Sequence, residues 1–143
     1  MATAITAPLH KPGRYNFSFM GASLRPELAR IVAEFYREAE GDWTTVKNRI
    51  LSTNALQCRT TRSALRMERE LRQRLVMLTS SQIALLAEAN GEDRNAIAWL
   101  SVLKHSSFAF EFTTEILREK LAAHDDVLRH SDYESFVDRK SAF

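Results

Sequence analysis

Turn-forming residues are scarce in this chain. Its 143 residues include three prolines, all within the first 26, and four glycines, of which only Gly41 and Gly91 follow residue 26. An all-β fold needs frequent turn residues, so this distribution excludes one and leaves helix permitted from Glu27 onward. A single cysteine, Cys58, rules out an internal disulfide and fits a reducing compartment. No run approaches the roughly 18 apolar residues of a membrane-crossing helix. The nearest, 96–103, stops at Lys104 and His105, and the first eleven residues are too polar and too short for a signal-peptide core. These absences predict a cytoplasmic protein with no membrane insertion.

Constellations that carry chemistry are equally sparse. His10, His105, His124 and His130 lack the close spacing of a zinc site, and Cys58 has no partner cysteine. His124, Asp125 and Asp126 read as a solvated helix end. His105 stands beside Ser106 and Ser107, but neither a nucleophile elbow nor a glycine-rich oxyanion loop accompanies them. No phosphate-cradling glycine motif occurs. The expectation is a non-enzymatic protein without metal, cofactor or small-molecule substrate, one that works by binding.

What is present is helical periodicity. Residues 1–14 read as a flexible tail and 15–143 as a single helical domain. Tyr15-Asn-Phe-Ser-Phe19 reads as an extended arm that pins aromatics on the body. Leu28, Ile31, Val32, Phe35 and Tyr36 share a face of a first helix, from Leu24 or Pro26 to Glu40, with Ser23 as cap and Gly41 as stop. Asp42 caps a second helix, 43–52, with Trp43, Val46, Ile50 and Leu51 inward. Thr60 or Thr61 opens a third, reaching about Leu78. A capping box at Thr79 and Gln82 opens a fourth, which Asn90 and Gly91 end. Asp93 caps the following segment. Periodicity then runs from Ala96 to Leu121 with a polar notch at 105–107, and Ile97, Leu100, Val102, Leu103, Phe108, Phe112, Ile116, Leu117 and Leu121 supply core. Phe110 points elsewhere. Ser131 and Glu134 suggest a second capping box, opening a last helix at 132–141. The row Glu111, Glu115, Glu119 reads as a solvent face. The fold class is therefore all-α, a compact multi-helix bundle.

Net charge is only +2, yet its distribution is uneven: 47–74 holds eight basic residues against Glu68 and Glu70, so that stretch carries +6 and the rest −4. At about 100° per residue, Arg59, Arg62, Arg66 and Arg69 lie within about 80° on one side of the third helix. Ala64, Leu71, Leu75 and Leu78 occupy the other side. Glu68 with Arg72 and Glu70 with Arg74 have the favourable i, i+4 order, and exposed pairs of that kind contribute only a few tenths of a kcal/mol. A solvated, salt-bridged surface therefore accounts poorly for six arginines in sixteen residues. The alternative is a phosphate-facing helix, since guanidinium forks match phosphate oxygens. With the helix before it, 43–78 makes a helix-turn-helix-like unit, although its turn exceeds the usual three or four residues. This places Arg59, Thr60, Thr61, Arg62, Ser63, Arg66 and Arg69 at a nucleic-acid surface, with Lys47, Arg49, Arg72 and Arg74 at its rim. An acidic protein partner competes for the same face.

Several stretches in order carry a family resemblance: Tyr15-Asn-Phe-Ser-Phe19, Gly41-Asp-Trp-Thr-Thr-Val46, Leu56-Gln-Cys-Arg-Thr-Thr-Arg-Ser63, Trp99-Leu, Phe108-Ala-Phe-Glu-Phe112, Glu115-Ile-Leu-Arg-Glu-Lys120, Tyr133-Glu-Ser-Phe136 and Asp138-Arg-Lys140. Together they resemble BrxA, a small accessory protein of bacterial BREX bacteriophage-defence systems. The resemblance implies a NusB-like or helix-turn-helix-type helical body, binding to double-stranded DNA rather than catalysis, and other BREX proteins as partners. A structural adaptor role or RNA binding is the alternative. It also implies a further C-terminal helical part after Arg139 and Lys140, so 15–143 is expected to be without a C-terminal helical extension. The inner-membrane label that members have carried finds no membrane segment here.

Overall fold

The computed structural model describes residues 23–141. The expected tail and the aromatic arm at 15–19 lie outside the described residues. The elements are α1 (Pro26–Glu38), α2 (Trp43–Thr53), α3 (Thr61–Leu75), α4 (Ser80–Glu88), α5 (Gly91–His105), α6 (Ser107–Phe112), a π-turn (Thr113–Leu117), α7 (Arg118–Ala122) and α8 (His130–Ser141). Among the described residues the fold is all-helical, as the periodicity predicts.

α1 packs chiefly on α4 and also meets α2, α3 and α5. Their common core includes Val32, Val46, Ile50, Leu71, Leu75, Ile83 and Leu86, with Leu28, Ile31, Phe35, Tyr36 and Trp43 partly buried around it. Burying a Val, Leu or Ile side chain contributes about 1.5–3 kcal/mol, so this set dominates the stability of the α1–α5 body. A second, smaller centre joins Val102, Leu103 and Ala109, with Phe110 packed on it. A third groups Phe108, Ile116 and Phe136 with Phe112, Tyr133 and Val137. Phe108 and Phe136 meet edge to face at 5.3 Å, and so do Phe112 and Phe136. Leu121, expected in the core, is 71% exposed. At about 100° per residue it stands about 140–180° around the helix from Phe108, Phe112 and Ile116, so spacing sets it on the opposite side.

The local stops and starts agree in part. Gly41 sits at φ +86 and ends α1, and the Asp42 carboxylate accepts from Thr44 N–H at 3.2 Å to cap α2. The Thr79–Gln82 capping box forms in full. Ser23 is not the α1 cap: Arg25 holds that position in the left-handed region with no side-chain bond, and Pro26 begins the helix. Nor does Asp93 cap α5, which starts at Gly91 and carries Asp93 in its first turn. The expected box at Ser131 and Glu134 is replaced by Asp132, whose carboxylate accepts from Arg129 N–H at 2.8 Å. The notch at 105–107 resolves into a break, where buried Ser106 ends α5 and its hydroxyl accepts from Ala109 N–H to cap α6.

Candidate nucleic-acid interface

α3 is positioned by its apolar side. Leu71 and Leu75 are fully buried and Ala64 nearly so, which fixes the helix rotation and turns the opposite side outward. The connection from α2, residues 54–60, is longer than a tight helix-turn-helix turn, but it is ordered. Asn54 takes a left-handed conformation at the end of α2, its amide donates to Cys58 C=O, and its carbonyl oxygen accepts from Cys58 N–H, both at 3.1 Å. Leu56 anchors the loop in the core.

Arg59, Arg62, Arg66 and Arg69 are all exposed. Among the described residues none of the four forms an ion pair. Arg62 to Arg69 spans about 10 Å along the axis at 1.5 Å per residue. Thr61 and Ser63 are exposed at the foot of the row. Thr60 is committed to the fold: its hydroxyl oxygen accepts from Ser63 N–H at 3.0 Å and donates to Ser63 Oγ at 2.9 Å. The first turn of α3 contains no acid. Its N-terminal amides and the neighbouring arginines thus present positive charge together, an arrangement that disfavours itself and suits an anion. A cleft of about 220 Å³ opens beside this end, lined by Asn54, Cys58, Arg59, Thr60 and Thr61 among others. On α2, Arg49 is exposed and Lys47 half-buried, and neither forms an ion pair among the described residues.

The rim departs from expectation at Arg72 and Arg74. Arg74 is 1% exposed and belongs to the interior. Its Nε donates to Glu70 Oε1 at 3.2 Å, and its Nη1 donates to the carbonyls of Ser23 at 2.6 Å and Leu24 at 3.3 Å. Burial pushes the Arg74 guanidinium below its ordinary pKa, and the Glu70 carboxylate opposes that shift. Arg74 therefore ties the segment before α1 to α3 and is unavailable to an external ligand. Arg72 is partly exposed, but its Nε holds both Glu68 oxygens, at 3.2 and 2.9 Å, and Glu68 itself is fully buried. The two i, i+4 pairs are thus structural rather than surface pairs.

The helical wheel carries the signal that separates these residues. Taking Arg62 as zero, Arg74 falls near 120° and Arg72 near −80°, outside the arc of the other four. Gln73, near 20°, falls inside it and is exposed, and Leu65, near −60°, is 44% exposed at its edge. Both belong to the face and were not among the residues expected there.

Elsewhere several acids of the last third are engaged. Lys140 Nζ meets Glu115 at 2.9 Å and Glu111 at 3.6 Å, so that row is not a plain solvent face. Lys120 Nζ bridges Asp132 at 2.9 Å and Asp125 at 3.0 Å, and Arg129 adds a contact to Asp125 at 3.1 Å. These bonds, Lys120 foremost, hold the Asp125 carboxyl down to about 2. Among the described residues no group of three or more His, Cys, Asp or Glu could hold a metal ion, and no helix is long and apolar enough to cross a membrane.

Comparison with known proteins gives two findings. The family model described as BrxA matches residues 13–142. The BREX protein BrxA of Escherichia coli O9:H4 (strain HS) is 25% identical over 118 residues, which cover 82% of this chain and 55% of that protein. The chain thus spans about half the length of the curated relative it matches. No solved structure matches it significantly.

Proposed function

The chain belongs to the BrxA family, and on that footing we propose that it is a non-enzymatic, DNA-binding accessory component of a BREX phage-defence system. The observation that carries the reading is the row Arg59, Arg62, Arg66 and Arg69, exposed on one side of α3 with no ion pair among the described residues. α2 and α3 then act as a helix-turn-helix-like unit. The four guanidinium groups contact phosphates, Lys47 and Arg49 stand at the rim, and Thr61, Ser63 and Gln73 are placed to reach backbone or base edges. Contacts mostly to phosphate position the protein without reading sequence, so weak sequence preference is expected.

Fluorescence anisotropy with a labelled duplex at low salt tests this. Arg62→Ala with Arg66→Ala should weaken binding strongly, whereas Arg37→Ala, an exposed arginine paired with Glu88, should not. No binding of the intact protein to any duplex at low salt defeats the proposal. The exposed Leu65 at the edge of the basic row favours a second reading, an adaptor that docks the acidic surface of another BREX protein. A BREX partner retained after nuclease treatment, and lost in the same double variant, selects that reading.

A further inference from the structure

The corner between α4 and α5 holds a largely apolar depression. A cavity of about 390 Å³ is lined by Leu85, Glu88, Ala89, Asp93, Ala96 and Ile97. Leu85 is 60% exposed, and Trp99, one turn beyond Ala96 on α5, is 38% exposed. A depression lined by Leu85, Ala89, Ala96 and Ile97 is more than the scatter of single exposed apolar residues and marks an interaction surface. Its charged lining is acidic only. Glu88 already carries Arg37 at 2.8 Å, but Asp93 and the neighbouring Glu92 form no ion pair among the described residues. The groove therefore calls for an apolar side chain flanked by cations.

The same molecule carries that complement. Leu65 is 44% exposed on α3, with Arg62 one turn before it and Arg69 one turn after, both without an ion pair among the described residues. We infer that the α4–α5 groove of one copy receives the α3 face of a second copy, Leu65 seated on Leu85, Ala96 and Ile97, with Arg62 and Arg69 against Asp93 and Glu92. Opposite charges at the rim set the register and the encounter, and the apolar pair supplies the desolvated centre. The two patches differ, so the contact is heterologous: a pair keeps one unused groove on one copy and one unused stripe on the other, and assembly continues past a dimer. The contact covers Arg62 and Arg69, so a polyanion on α3 competes with it. The inference needs only the exposed stripe and groove and does not depend on DNA being the ligand.

Mixing two variants tests it. The stripe variant carries Arg62→Glu and Arg69→Glu; the groove variant carries Leu85→Glu and Asp93→Arg. All four positions are exposed, and circular dichroism should match the wild type for both. In sedimentation velocity at low salt, the wild-type mass should rise with concentration past that of a dimer and return to the monomer at high salt. Each variant alone should stay monomeric. An equimolar mixture should form a dimer and nothing larger, because one variant contributes the only intact groove and the other the only intact stripe. A wild type that stays monomeric at every concentration, a stripe variant that dimerises alone, or a mixture that stays monomeric overturns the inference. The groove variant keeps its arginines, so its duplex titration reports separately on the nucleic-acid reading.

Discussion

The salt dependence of duplex binding follows from which arginines the fold leaves available. Each phosphate neutralised on double-stranded DNA contributes about −0.9 to the slope of log K against log salt. Had all eight basic residues of 47–74 reached phosphates, the slope would be roughly −7, a loss of about 20,000-fold between 50 and 200 mM salt. The fold removes Arg74 to the interior and engages Arg72 on buried Glu68. Four contacts, from Arg59, Arg62, Arg66 and Arg69, give a slope of roughly −3.6 and a loss of about 150-fold over the same range. Adding Lys47 and Arg49 steepens it to about −5.4. Arg62→Ala with Arg66→Ala should bring the four-contact slope to roughly −1.8. Anisotropy with trace labelled duplex and dilute protein, repeated over a salt series, measures each slope. A wild-type slope flatter than about −2, or a double variant with an unchanged slope, refutes the assignment of these residues to phosphates.

Arg74→Ala breaks the buried pair with Glu70 and the bonds to the Ser23 and Leu24 carbonyls and should cost about 3–5 kcal/mol, read as a lowered urea midpoint with circular dichroism. Thr79→Ala removes one half of the capping box and should cost about 1 kcal/mol by the same measurement. Asp125 should titrate near pH 2 by carboxyl carbon NMR, against the ordinary 3.8. Because its folded value is depressed, the stabilisation it gives the α7–α8 connection is fully present above about pH 4 and disappears as pH falls through about 2; a midpoint near 4 contradicts the Lys120–Asp125–Arg129 network.

Legibility in the sequence tracks how local each cause is. The two sides of α3 can be read from spacing alone, because 100° per residue separates Leu71 and Leu75 from Arg62 and Arg66 whatever surrounds the helix. The Asp42 cap and the Thr79 box are similarly local. The interior placement of Arg74 is different in kind, since its partners include carbonyls about fifty positions earlier in the chain. Its wheel angle hints at a flank, but the arrival of 23–24 beside α3 adds acceptors that help sustain a buried guanidinium. Leu121 fails for another reason: it lies about 140–180° around the helix from Phe108, Phe112 and Ile116, so apolar character alone, not spacing, marks it for the core. Ser106 as a buried cap falls between these cases, because the polar notch is visible while the choice between kink and break rests on packing at both sides.

That break has a consequence for how the molecule opens. Phe108, Ile116 and Phe136 form their own cluster, separate from the one shared by α1 to α5, and the chain passes between the two regions through Ser106. Cooperative units in proteins follow such divisions. Amide protons of α8 are therefore expected to exchange through a sub-global opening of this cluster, before those of α3. The arginine-bearing helix is anchored by Leu71 and Leu75 in the larger core, so its geometry is expected to outlast an opening of the α8 cluster.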